Sequence, residues 1–124
     1  EEYKRILPAM KQLEKDCRRR GKQLKEELAA MKRRARDAEH AIIVLSTLVN
    51  EMEEKKQAGN EEKDQQMIEG LKLFKQEVYD NLLSCWEPEQ AKLNSRIEAT
   101  AGEARALRRY RLKIMKDHAP LKGN

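Results

Sequence analysis

Aromatic side chains are scarce in this sequence, 4 % of 124 residues against 40 % charged. The large rings that dominate globular interiors are therefore missing, and a thick core is excluded. Alternation of the kind that marks half-buried strands is also lacking, and enrichment in Glu, Lys, Arg, Leu and Ala matches long helices. The longest apolar run, Ala41 to Leu45, falls far short of the roughly 18 residues that suggest a membrane span, and no charged-then-apolar leader opens the chain. With only two cysteines, Cys17 and Cys85, neither a disulfide scaffold nor a Cys-rich zinc site can be built. Both fall on an apolar stripe, which predicts buried thiols and a reducing, intracellular, cytoplasmic setting. His40 and His118 stand alone, without a second ligand at metal spacing. There is no glycine-rich phosphate loop, nucleophile elbow or His-containing dyad, and carboxylates such as Glu26, Glu27, Glu53 and Glu54 read as helix-surface charge. Neither catalysis nor a cofactor or metal is expected.

What the sequence has is heptad periodicity. Tyr3, Met10, Cys17, Leu24, Met31, Ala38, Leu45 and Met52 recur every seven residues, predicting one helix over residues 1–57, roughly 80 Å long at 1.5 Å per residue. Lys55 and Lys56, then Gly59 and Asn60, then Glu61, Glu62 and Asp64 read as a helix end, a turn at 58–60 and a helix start, each charge suited to the dipole it meets. A second helix is expected over 61–87, with Met67, Leu71, Phe74, Val78, Leu82 and Cys85 as its stripe. Pro88 opens a third helix or kinks a continuing one over 88–118, where Leu93, Ile97, Thr100, Ala104, Leu107 and Ile114 keep helical phase. Residues 119–124 read as a frayed tail. The start of the chain in helical phase, without a cap, suggests a piece of a longer protein.

The matched arms predict an all-α fold of one structural unit, a long antiparallel helical hairpin or coiled coil. The alternative is a compact three-helix bundle broken near Gly21. In the hairpin, paired residue numbers should sum to about 118, setting Leu45 against Leu73, Leu24 against Asn94, Met10 against Arg108, Cys17 against Ala101 and Pro88 against Ala30. The ladder's companions lie three residues on at Ile6 and Leu13, but four on at Leu28, Ala35, Ile42 and Val49. That is a stutter near Leu24, predicting a mid-helix bend.

Charge is segregated. Residues 1–36 hold thirteen Lys and Arg against six acids, 91–124 nine against three, and 37–90 five against thirteen. Arg18, Arg19, Arg20, Lys32, Arg33, Arg34, Arg105, Arg108, Arg109 and Arg111 form the densest basic stretches, an expected surface for an acidic partner. Few aromatic faces accompany them, so sequence-specific nucleic-acid reading is not expected. Apolar residues in turn exceed what two helices bury at Ile42, Ile43, Val44, Leu45, Val49, Leu71, Leu73, Phe74 and Val78. A second copy packing there, as a homodimer of four helices, is the expected consequence. Trp86, beside the proline, is a candidate anchor for a partner. The expectation is a non-catalytic oligomerisation and scaffolding segment of a larger intracellular protein. The alternative is a basic helical rod on an anionic membrane surface or an acidic cytoskeletal polymer.

Overall fold

A computed structural model describes residues 2–55 and 61–118, and among these only Glu2, Lys55 and His118 lie outside helix. Helix α1 is Tyr3–Glu54 and α2 is Glu61–Asn81. A π-helical segment, Leu82–Trp86, leads without a break into α3, Glu87–Asp117. Glu61, Glu62 and Asp64 occupy the first turn of α2, where negative charge suits the helix dipole. The expected turn at 58–60 and the tail at 119–124 lie outside the described residues.

The chain divides into two compact units where the sequence reading expected one. Unit 1 combines residues 1–28 with 92–124, and unit 2 is residues 29–91. Within unit 1, α1 and α3 run antiparallel. The ring of Tyr3 stacks on His118 at 4.7 Å, Arg20 meets Glu103 at 3.5 Å, and Gly21 lies beside Thr100. Within unit 2 the antiparallel contacts are Arg34 with Trp86 and Glu53 with Lys72. These pairs sum to between 120 and 125, so the expected register near 118 is displaced, by up to two helical turns. Pairing centred on residues 58–60 would give sums near 118; the buried stripe sets the register instead. Leu73, expected against Leu45, points outward at 67 % exposure.

The stripe itself is more regular than expected. All eight residues of the seven-residue ladder are buried or half-buried. Their companions lie four residues on throughout α1, at Leu7, Glu14, Gly21, Leu28, Ala35, Ile42 and Val49. Ile6 and Leu13, the supposed companions before Leu24, are 41 % and 51 % exposed. There is no stutter. The apparent one arose from assuming that each inner position must be apolar, when two are filled by glutamate and glycine.

The discontinuity lies on the other side of the pair. In α2 the inner positions are Asp64, Ile68, Leu71, Lys75, Val78 and Leu82, and beyond it Trp86, Gln90, Leu93, Ile97, Thr100, Ala104, Leu107, Arg111 and Ile114. Four residues separate Leu82 from Trp86 where three were due. The π segment absorbs that extra residue, as single-turn π-bulges do, with the Glu87 amide donating to the Leu82 carbonyl. Pro88 follows at once. Its ring would collide with the carbonyl of Ser84 in a regular α-helix; the wider turn before it makes room for the ring. Proline here neither breaks nor starts the helix. The same shift moves Cys85 outward, so it is exposed where a buried thiol was expected, while Cys17 is buried and both are free. Met67 and Phe74, expected on the stripe, are 59 % and 53 % exposed, and Ile68 has no exposed surface at all.

Candidate functional site

Three arrangements stand out, two in unit 1 and one in unit 2. The first is a partly buried ion pair. Glu14 is 3 % exposed at an inner position of α1, and Arg111 occupies the inner position of α3 between Leu107 and Ile114. The Arg111 guanidinium forks onto the carboxylate, Nε donating to Oε2 and Nη2 to Oε1, the latter at 3.3 Å. Arg18 approaches from outside at 3.8 Å. The hydrogen bond from Arg111 holds the Glu14 carboxyl below its usual pKa against the opposing effect of burial, with the charges of Arg111, Arg18 and Arg108 adding to it. The reciprocal bond raises the pKa of Arg111. Side chains cover the carboxylate, yet in a two-helix pair no atom lies far from solvent, so the attraction outweighs the desolvation. Arg111, read from the sequence as part of an acidic-partner surface, is thus turned inward and engaged.

The other basic residues expected on that surface are exposed. In unit 1, Arg19 pairs with Asp16 at 3.0 Å and Arg20 with Glu103 at 3.5 Å, while Arg105, Arg108 and Arg109 carry no ion pair among the described residues. In unit 2, Lys32 and Arg33 are exposed, and the Arg34 guanidinium lies 5.5 Å from the centre of the Trp86 ring, a cation–π distance. Trp86, a candidate partner anchor, is half-buried under that contact.

The second arrangement is a groove of about 360 Å³ beside Gly21. Glycine in a helix interior costs about 1 kcal/mol relative to alanine. Packing does not require it here, since a Cβ would meet Thr100 Cγ2 at an ordinary 3.7 Å. With Ala101 and Ala104 opposite, this layer is left unfilled. Neither the ion pair nor this gap was singled out from the sequence, although both sit on the strict four-three spacing that the ladder shows after Leu24.

The third arrangement is the apolar surface of unit 2. Of the residues expected there, Val49 is buried and Ile42, Leu45, Leu71 and Val78 are half-buried at inner positions, so they pack the helix pair itself. Ile43, Val44, Leu73 and Phe74 point outward, at 65 %, 42 %, 67 % and 53 % exposure. Leu48 and Met67 join them. Helical phase places Val44 and Leu48 of α1 and Met67 and Phe74 of α2 on the same flank of the pair, with Leu73 at its edge. The opposite flank carries the ion pair of Lys72 with Glu53 at 3.0 Å. By the same phase Ile43 and Tyr79, 65 % and 45 % exposed, fall on the side of Glu53 and Lys72, so the exposed apolar surface is densest on the first flank without being confined to it.

Among the described residues there is no group of three side chains able to hold a metal ion, and no helix is long and apolar enough to cross a membrane. No protein family, curated protein or solved structure was found to match this chain.

Proposed function

We propose that the chain is a non-catalytic coiled-coil interaction module, in which unit 2 self-associates through its apolar flank into a four-helix arrangement and the basic surface of unit 1 engages an acidic partner. The observation that carries this reading is the open flank formed by Val44, Leu48, Met67 and Phe74. Contiguous exposed apolar surface of this kind marks association sites in soluble proteins, and a two-fold contact would bury the same residues on both copies.

Solution mass by light scattering, at low and high salt, tests it. The expected result is a dimer that survives high salt and becomes a monomer of unchanged helicity on Val44→Glu or Phe74→Glu. A wild-type monomer at every concentration, or a dimer indifferent to both substitutions, would refute the assignment. The alternative rests on the exposed Arg18, Arg19, Arg105, Arg108 and Arg109: a basic surface docking on an anionic membrane or acidic polymer. That reading predicts vesicle or polymer binding that falls steeply with added salt.

A further inference from the structure

The groove in unit 1 has features that self-association does not use. Its floor is made by Gly21, Ala101 and Ala104, and its rim by Lys22, Lys25 and Arg105. The glycine and the two alanines leave an apolar trough where a regular layer of side chains would otherwise meet. Among the described residues, every charged side chain lining it is a cation. Lys22, Lys25 and Arg105 have no ion-pair partner among the described residues, although acids are abundant along both helices. An apolar trough with an unneutralised cationic rim is complementary to a molecule with a hydrocarbon body and an anionic head.

Size selects between a protein and a small molecule. The lining residues span eight helical steps on each helix, from Cys17 to Lys25 and from Ile97 to Arg105, or about 12 Å. A stable protein partner covers on the order of 800 Å² per side, far more than two helical turns of trough can supply. A volume of about 360 Å³ is at the lower end of small-ligand sites, where one aliphatic chain fits and a folded helix does not. We propose that the groove beside Gly21 binds a single-chain anionic amphiphile as a free monomer, its chain lying on Gly21, Ala101 and Ala104 and its phosphate or carboxylate head held by Lys22 and Lys25, with Arg105 adding positive charge from the other end of the groove. Lys22 and Lys25, three residues apart on α1 and so side by side, would donate charge-assisted hydrogen bonds to the head, and the chain would displace water from the trough.

Titration calorimetry of the full chain with dodecyl phosphate, kept below its micelle-forming concentration, tests this. The expected result is saturable binding of one molecule per chain, weakened about tenfold for each two methylenes removed from the alkyl chain and weakened by salt. Dodecyltrimethylammonium, with the same tail and the opposite charge, should not bind. Gly21→Leu fills the trough and should abolish binding with helicity retained. The double substitution Lys22→Glu with Arg105→Glu changes only exposed, unpaired side chains, so it keeps the test decisive however Gly21→Leu folds; it should weaken binding at least tenfold. Equal affinity for the cationic analogue, undiminished binding by a folded Gly21→Leu chain or by the charge-reversed chain, or binding confined to phosphatidylserine vesicles with none to the monomer would each overturn the proposal. The solution mass, measured separately, reports on self-association, so either reading can fail without the other.

Discussion

Replacing Ile68 by alanine, beside the same change at Met67, asks which of two adjacent residues faces the inside of unit 2. Ile68 has no exposed surface, whereas Met67 is 59 % exposed. The substitution at 68 removes three carbons, about 2.4 kcal/mol of transfer free energy at roughly 0.8 kcal/mol each. A cavity penalty is added on top, but two helices can close over a small gap more easily than a globular core can. The expected loss is therefore about 2–3 kcal/mol, at the lower end for such truncations. At Met67 less than half of the side chain is covered, and the loss should stay below about 1 kcal/mol. Urea unfolding followed by circular dichroism at low protein concentration measures both, with the Ile68→Ala midpoint falling by about 1–2 M for a slope typical of this size. Equal losses, or a larger one at Met67, would refute the inner stripe and restore the phase in which Met67 and Phe74 face inward. The cost of Met67→Ala should also grow with protein concentration if the apolar flank is an interface, because association is linked to stability by mass action.

Deleting Ser84 should convert the π segment to regular α-helix and bring the two stripes into one heptad phase, but it leaves Pro88 inside an α-helix, a loss of about 3 kcal/mol. Combined with Pro88→Ala, the same deletion should unfold at or above the wild-type temperature; a double variant as unstable as the deletion alone would contradict the role given to the bulge. A thiol reagent should modify the exposed Cys85 at once and Cys17, which is 5 % exposed, only at the rate of local opening. Equal reactivity would refute the outward turn at residue 85.

Much of this fold was legible because an inner stripe must repeat every three and four residues. The ladder from Tyr3 to Met52 needed only counting, and so did the run from Leu93 to Ile114. The second helix was harder because α2 offers two nearly equal apolar series, one through Met67 and Phe74 and one through Ile68, Leu71 and Val78. Composition favours neither; what decides is which series continues into α3, and the extra residue absorbed at Leu82–Trp86 conceals that continuity. The candidate sites were less legible for a related reason. A search for apolar companions passes over Glu14, Gly21 and Arg111, since these are the inner positions that are not apolar. Strict spacing alone identifies them, and it does so only once the phase is trusted over the residue type.

The Glu14 and Arg111 pair shows what such an exception does to the energetics. Arg111 holds the folded carboxyl below its usual value near 4.5, so between the two values the unfolded chain binds more protons and stability rises with pH. The contribution is complete above about 4.5 and is lost as pH falls through the lowered folded value. Thermal unfolding of the wild-type chain should therefore weaken on acidification through that window, and Glu14→Gln should remove this part of the slope. Arg111→Leu should do more than remove it. With the guanidinium gone, burial acts on Glu14 with only the more distant Arg18 and Arg108 to oppose it, and burial raises a carboxyl pKa. The folded chain then binds its proton more readily than the unfolded one, so mild acidification stabilises the variant at this site, the reverse of wild type. Replacing both residues by leucine fills two inner positions with apolar volume and should restore or exceed the wild-type midpoint with no slope from this site, because a buried ion pair commonly contributes less than the packing that can replace it. The sign of the pH slope in Arg111→Leu discriminates. A slope still rising with pH would mean that Arg18 and Arg108 suffice to hold the carboxylate, and that the inward turn of Arg111 serves packing rather than charge.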